Sequence, residues 1–426
     1  MMIVGVLGLG YVGLPLCREF VRGGCEVIGF DIDQAKIEQL RKSKSYIKHI
    51  SDESVSEMIS SGRFSITSDM TMLKRPEAIL ITVPTPLNAM REPDLSYVEN
   101  SCREIARNLQ NGQLIVLEST TYPGTTKEVV KPILEHESGL VCGKDFYLAY
   151  SPEREDPGRE DFTTKTIPKV IGGINDESLR RAVECYQKAV DHPVPVGSCE
   201  VAEASKILEN TYRCVNIALV NELKMLFDRM KIDIWEVIKA AETKPFGYTP
   251  FYPGPGLGGH CIPIDPFYLS WKAREYDLST RFIELSGEVN CSMPDYVVNK
   301  VSDALNDHCK SINKSNILII GLAYKKNVDD CRESPSFKLW ELLEEKGARI
   351  DYHDPYVLVV PMTREHKKLS GRESRSLSPE MLNDYDCVLI STDHDEVDYK
   401  MIMDNAISIV DTRNVIKSSD MKVVKA

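Results

Sequence analysis

The chain has 426 residues, of which 42% are hydrophobic and 27% charged, and a formal net charge of -12. A chain of this length divides into two or three domains, and the acidic balance argues against nucleic acid, whose phosphates need a basic surface. No apolar run approaches the ~20 residues of a membrane span. The 12 cysteines show neither CxxC pairs nor zinc-like spacing, so the expectation is a cytoplasmic protein with reduced thiols, no resident metal and no membrane contact.

Ile3-Val4-Gly5-Val6-Leu7 is a short apolar run of the kind that forms a buried parallel strand. It opens into Gly8-Leu9-Gly10-Tyr11-Val12-Gly13, and a helical segment over residues 14–22 follows, closed by Gly23-Gly24. Gly8 permits the tight turn, Gly10 lets the backbone approach a pyrophosphate, and Gly13 lets helix pack on strand. The helix N-terminus then offers free N–H groups to the phosphate. A second strand over residues 26–31 ends in Asp31, 18 residues after Gly13. A carboxylate there bonds ribose hydroxyls and repels a 2′-phosphate, which favours NAD over NADP.

Further β/α units follow. A strand over residues 78–83 ends in Pro84-Thr85-Pro86, and one over residues 114–120 runs into Thr121-Tyr122-Pro123-Gly124. Ligands of open α/β sheets sit beyond the carboxyl ends of strands. Both endings are therefore expected at the cofactor edge, although any single threonine there serves equally well as a turn cap. A strand over residues 146–150 reads as the last of this half. It ends in Ser151-Pro152-Glu153-Arg154-Glu155-Asp156-Pro157, and four charges at a strand end point to a site more than to a solvated loop.

From residue 200 to about 229 the pattern is helical, with apolar residues at Val201, Ala204, Ile207, Leu208, Tyr212, Val215, Ala218 and Leu219. A helix this long between two α/β halves is expected to bridge domains and to form a homodimer interface. Lys206 and Asn210 share one face of it, with Arg213 a turn further on. Lysine on a helix is ordinarily solvent decoration, and the pattern alone does not single Lys206 out.

A helical stretch over residues 232–243 gives way to Pro245-Phe246-Gly247-Tyr248-Thr249-Pro250-Phe251-Tyr252-Pro253-Gly254-Pro255-Gly256, a fixed loop suited to lining a flat ring. Gly258-Gly259-His260-Cys261-Ile262-Pro263-Ile264-Asp265 follows, placing one cysteine in a glycine-rich loop with a carboxylate four residues on. A thiol that binds a carbonyl covalently, on a chain that also binds a nicotinamide, points to two successive oxidations of one carbon.

Strand patterning resumes over residues 315–320 and leads to Gly321-Leu322-Ala323-Tyr324-Lys325, a turn with a single glycine in which Lys325 supplies charge. Arg332-Glu333-Ser334-Pro335 starts a helix, with Ser334 as N-cap and Pro335 in the first turn. Strands over residues 348–352, 387–391 and 407–410 complete a small sheet that ends in Asp411-Thr412-Arg413. The charged stretch 363–375 reads as a surface insertion. The expected fold is α/β, with two Rossmann-like, doubly wound parallel-sheet domains joined by a long central helix. The expected boundaries are residues 1–198, 199–305 and 306–426. One half would hold NAD and the other a substrate that carries a diphosphate.

Together these motifs resemble the UDP-glucose/GDP-mannose dehydrogenase family of nucleotide-sugar 6-dehydrogenases over essentially the whole chain. The resemblance implies oxidation of C6 of a nucleotide-bound hexose to a carboxylate with two NAD. It implies that Cys261 attacks the C6 aldehyde, giving a thiohemiacetal and then a thioester. Lys206 and Asn210 would stabilise the oxyanion, Asp265 and Thr120 would handle the water, and Glu153 would assist hydrolysis. Arg154, Glu155, Arg213, Phe251, Tyr252, Gly256, Lys325 and Arg413 resemble substrate contacts. Tyr11, Val12, Lys36, Pro84, Thr85, Thr120 and Arg332 join Gly8, Gly10, Gly13 and Asp31 on NAD. UDP-glucose members typically have Asn at Ser151 and Ser at His260, and a different loop at Phe251 to Leu257. The chain is more similar to members acting on UDP-N-acetylhexosamines, with UDP-N-acetylglucosamine the first expectation. UDP-N-acetylmannosamine, UDP-N-acetylgalactosamine and UDP-glucose stay open. Two other readings are a two-electron hydroxy-acid dehydrogenase, which needs no thiol, and a non-catalytic NAD-binding protein.

Overall fold

A computed structural model describes residues 1–426 except 48–49, 89–91, 155–162, 260–261, 363–365 and 419. The chain divides into two compact units, Met1–Glu209 with Phe267–Leu278, and Asn210–Pro266 with Ser279–Ala426.

The first unit is built on eight strands: β1 (Ile3–Leu7), β2 (Glu26–Phe30), β3 (Phe64–Thr67), β4 (Ala78–Ile81), β5 (Leu114–Leu117), β6 (Tyr147–Tyr150), β7 (Lys169–Gly173) and β8 (Pro193–Val196). Their order is β3-β2-β1-β4-β5-β6-β7-β8, so the strand order reverses between β1 and β4. All four residues of β4 and all four of β5 are buried, which explains their unbroken apolar sequence: helices cover both faces. Val4, Val6, Leu80 and Val116 pack into one core layer, while Leu7, Ile79, Ile115 and Leu117 pack into the other. The period-2 pleat thus divides one apolar run between two cores.

The expectation that strand 146–150 closes this half is corrected. Two strands follow it, and β7 runs antiparallel to β6, pairing Ala149 with Gly173 and Tyr150 with Gly172. β8 then lies parallel to β7. Lys169-Val170-Ile171-Gly172-Gly173 hides as a strand because it opens on a charge and closes on two glycines that read as a turn.

The long helix Cys199–Arg229 has 31 residues, belongs by its first turns to the first unit and continues into the second. The second unit carries a wholly parallel sheet of β9 (Asn316–Ile320), β10 (Arg349–His353), β11 (Cys387–Ile390), β12 (Ile409–Asp411) and β13 (Val423–Lys425), in the order β10-β9-β11-β12-β13. The three-residue β13 escaped the sequence reading. The helix Pro335–Glu345 starts as expected, the Ser334 hydroxyl accepting from Ser336 N at 3.3 Å. The charged stretch after residue 365 is pinned down. Leu369 is buried in the core, Gly371 N donates to Val360 O at 2.9 Å, and Arg375 N donates to Tyr352 O at 2.8 Å. Among the described residues, no helix is long and apolar enough to cross a membrane.

Candidate active site

The first turn is shaped before any ligand arrives. Gly8 sits at φ +93°, where an L side chain is strained. A Cβ at Gly13 would lie 1.9 Å from Gly8 O, whereas one at Gly10 would meet nothing within 4 Å. The turn is thus packed on its inner side and open where a pyrophosphate approaches. The Thr82 hydroxyl, just past β4, donates to Leu7 O at 2.8 Å and Gly8 O at 2.7 Å. Asp31 accepts from Leu9 N and from Asp33 N, both at 2.9 Å, and Lys36 Nζ stands 3.9 Å from its Oδ2. An open glycine backbone, with a carboxylate at the end of β2, fits the pyrophosphate and ribose of NAD.

At the ends of β4 and β5 the polar loops are stitched together. The Thr85 hydroxyl donates to Thr120 O at 2.7 Å and the Ser119 hydroxyl to Val83 O at 2.6 Å. The Tyr268 hydroxyl donates to Thr85 O. Thr85 therefore has a structural task in addition to any with the cofactor; Pro84 beside it is exposed.

Lys206 is 5% exposed. The solvent-decoration reading of this lysine is corrected: the side chain turns inward, and its Nζ lies 3.6 Å from Glu153 Oε2. Burial pushes the Glu153 carboxyl above its usual range, and the charges of Lys206 and Lys169 oppose that rise. Arg154, next in the chain, forks onto Glu209 at 2.6 and 3.4 Å and donates to Pro168 O at 2.7 Å. Glu155 lies outside the described residues.

In the second unit, Asn210 Nδ2 donates to Asp265 Oδ2 at 2.6 Å, and both residues are buried. Asp265 opens the helix Asp265–Ala273, where the helix dipole favours its negative charge. Cys261 and His260 lie outside the described residues. The glycines before them are fixed: Gly259 N donates to Arg332 O at 3.2 Å, and both Gly258 and Gly259 pack against Tyr324. Gly254 N donates to Asn221 Oδ1 at 3.0 Å, and Asn221 Nδ2 donates to Asn290 Oδ1 at 2.9 Å. The rings of the aromatic loop find partners within the unit, Phe251 edge-on to Tyr212 at 5.7 Å and Tyr252 stacked on Trp235 at 5.7 Å.

Arg413 Nε donates to Ser391 O at 2.7 Å, burial lowers its pKa, and a Cβ on Gly254 would lie 2.9 Å from its Nη1. Arg413 and the loop that contains Gly256 are therefore neighbours. Lys325 is half-buried. Arg332 is exposed and grips Asp330, at 2.7 Å through Nη2. Arg213 is also exposed, so it does not follow Lys206 and Asn210 into the interior.

The second βα turn shares one feature with the first, an acid past the neighbouring strand that accepts from the turn backbone. Asp354, just past β10, accepts from Leu322 N at 2.6 Å as Asp31 accepts from Leu9 N. It also accepts from Ala323 N, Tyr356 N, Val357 N and His394 Nε2 at 2.8–3.1 Å. Asn327 N donates to His394 Nδ1 at 2.9 Å, so Nε2 carries the proton given to Asp354.

Sequence reasoning missed three buried acids and bases beside these motifs. Glu203 accepts from Gly124 N at 2.6 Å and from Thr126 N and Oγ1 at 2.9 and 2.7 Å. Lys169 pairs with Glu118, which also accepts from the Tyr186 hydroxyl. An isolated charge inside an apolar run, as at Glu118, was the only available signal.

A dinucleotide turn with an acid past the second strand, and a second α/β half with a related turn, are the architecture of an NAD-dependent oxidoreductase with a nucleotide-linked substrate. Family profiles agree over most of the chain: NAD binding domain at residues 2–190, central domain at 200–292 and UDP binding domain at 318–418. The chain belongs to the UDP-glucose/GDP-mannose dehydrogenase family. It is 37% identical to a UDP-N-acetyl-D-glucosamine 6-dehydrogenase of Pseudomonas aeruginosa, over 83% of each chain. It is 34% identical to a UDP-N-acetyl-D-mannosamine dehydrogenase of Pyrococcus horikoshii, over 98% of this chain and 96% of the relative. A solved structure of the UDP-D-ManNAc dehydrogenase from Pyrococcus horikoshii superposes with a TM-score of 0.89 at 32% identity, over 98% of this chain and 96% of that one.

Proposed function

We propose that this enzyme oxidises C6 of a UDP-N-acetylhexosamine to the carboxylate, with UDP-N-acetylglucosamine as its substrate. The buried Lys206–Glu153 pair carries the reading, because it sets a cation beside a carboxyl that burial raises above its usual range, the two groups an oxyanion and an attacking water require. Relatives that act on UDP-N-acetylglucosamine and on UDP-N-acetylmannosamine both support the N-acetyl group. Ser151 and the Phe251–Tyr252 loop set the chain apart from UDP-glucose members, and UDP-N-acetylglucosamine is the first of the N-acetylhexosamines to be tested.

Conversion of the alcohol to the carboxylate removes two hydrides and three protons and adds the oxygen of one water. NAD, when bound, accepts the hydrides, one to each of two cofactor molecules in turn. Cys261, as thiolate, adds to the C6 aldehyde, so the second oxidation leaves a thioester. Water opens the thioester to the carboxylate and returns the thiolate. In this reading Lys206 holds the developing oxyanion, and Glu153 takes the proton of the attacking water. A carboxyl raised by burial suits a base working near neutral pH. Asn210, which also donates to Asp265, assists Lys206 at the oxyanion, and Asp265 and Thr120 position and polarise the water.

The test is NADH formed per sugar with a panel of UDP- and GDP-sugars. Two NADH per UDP-N-acetylglucosamine, with little from UDP-glucose, is the expected result. One NADH per sugar overturns the thioester route, and faster turnover of UDP-N-acetylmannosamine changes the sugar and leaves the chemistry standing.

We also propose a homodimer through the long helix. Tyr212, Leu219, Leu226 and Met230 recur at spacings of seven, seven and four, and all four are about half exposed, an apolar stripe of the kind that helix pairing covers.

A further inference from the structure

Glu153 stands at the tip of the Ser151-Pro152-Glu153 turn, and this turn is fastened from behind by β7, the strand at which the sheet reverses direction. The Ser151 hydroxyl donates to Val170 O at 2.8 Å, and Lys169 Nζ donates to Pro152 O at 3.1 Å. Lys169 is only 7% exposed, and its ammonium is also bound to Glu118, itself 1% exposed. The other oxygen of Glu118 accepts from the Tyr186 hydroxyl, and Lys169 Nζ lies 5.4 Å above the Tyr186 ring. Tyr186 ends the helix Asp176–Tyr186. β7, the end of β5 and this helix therefore meet in one closed polar cluster under the turn. Glu153, Lys169 and Glu118 also line one cavity with Val12 and Leu16 of the first phosphate turn.

A buried ion pair is weak evidence for stability, because desolvation of the two charges offsets much of their attraction. This one lies directly beneath a carboxylate to which the proposed chemistry assigns a proton. Among the described residues, the charged groups facing Glu153 are Lys206 from the long helix, Lys169 from β7 and Glu118 after β5. Arg154 is turned to Glu209.

We infer that Lys169 and Glu118 are positioning residues that hold the Glu153 turn and govern the ionisation of its carboxylate. Lys169 attracts the charge on Glu153 and Glu118 repels it, so the pair together leaves Glu153 poised and either partner alone would bias it. The inference rests on the role given to Glu153 in the proposed function.

Two variants test it in the full chain, Lys169→Met and the near-isosteric Glu118→Gln. The Glu153 carboxyl is titrated by infrared difference spectroscopy in the free enzyme, with Glu153→Gln as the blank. The acidic limb of kcat is followed with UDP-N-acetylglucosamine, and Tm is recorded alongside. Lys169→Met leaves Glu118 facing Glu153 and should move both titrations to higher pH. Glu118→Gln leaves Lys169 uncompensated and should move them to lower pH. A fall in Tm with both titrations unmoved overturns the inference and makes the cluster a scaffold. If Lys169→Met does not fold, Glu118→Gln decides alone, since an unmoved titration there is sufficient to reject the idea. Glu153→Gln separates this outcome from failure of the underlying reading. It should lower kcat by about 100-fold, and unchanged activity would reject the role of Glu153 whatever the infrared titration shows.

Discussion

Lys206 and Glu203 are three residues apart on one helix, and both are ionisable and buried, but opposite conditions surround them. Lys206 faces a carboxylate. Glu203 accepts from the neutral donors of Gly124 and Thr126, and burial, opposed by those hydrogen bonds and aided by the charge of Glu200, pushes its carboxyl up to about 7. A carboxyl raised above its unfolded value near 4.3 stabilises the fold most below that value and loses the contribution as pH rises through about 7. Glu203→Gln cannot titrate. The stability of the natural protein relative to this variant should therefore fall by about 2–4 kcal/mol between pH 4 and pH 8, which thermal unfolding at several pH values would check. Replacement of Lys206 by Ala should cost ~100-fold or more in kcat, and Cys261→Ser should abolish net carboxylate formation while UDP-sugar and NAD still bind in calorimetry. The sequence made Gly8, Gly13 and Asp31 legible because a turn, a helix start and a strand end fix what those positions must be. It could not reveal the burial of Lys206, since the pattern of α-helical spacing says which face a residue shares and not what covers that face.

At the scale of elements, the reversed β7 carries much of the site. Regular parallel strands announce themselves as apolar runs, and β1, β4, β5, β9 and β11 were all legible on that ground. β7 and β8 were not, because β7 trades apolar residues for a lysine and two glycines and β8 alternates valine with proline. The second βα turn gives a test at this scale. Burial alone would raise the Asp354 carboxyl, but the His394 hydrogen bond and the backbone N–H groups hold it at about 2. A depressed carboxyl contributes its stability above the unfolded value and loses it as pH falls through the folded one. The Asp354 contribution, about 2–3 kcal/mol, should be intact above about pH 4 and vanish near pH 2. Asp354→Asn should lower Tm at pH 7 and should remove that part of the acid sensitivity; an unchanged acid transition would show the network to be worth little.

For the whole molecule, the fold class and the two nucleotide halves follow from motif order alone, whereas assembly depends on a surface that sequence only hints at. The apolar stripe from Tyr212 to Met230 is a property of one exposed face, and periodicity cannot separate an exposed stripe from a buried one. If the long helix pairs two copies, Leu219→Glu with Leu226→Glu should halve the mass measured by light scattering. A wild-type chain that is already monomeric at micromolar concentration would refute the pairing.

The acids of the two βα turns differ in what they have left to offer, in line with the NAD binding and UDP binding domain profiles of the two halves. A carboxylate offers about four lone-pair positions, and Asp354 accepts from five donors, so it has nothing left for a sugar hydroxyl. Asp31, with two backbone donors, keeps acceptor capacity to spare. A ribose hydroxyl should therefore find an acceptor at Asp31 and none at Asp354. With its acid filled by four backbone N–H groups and a histidine, the second half should offer NAD no ribose site, and the rate should level off with rising NAD instead of turning downward through misplaced binding there.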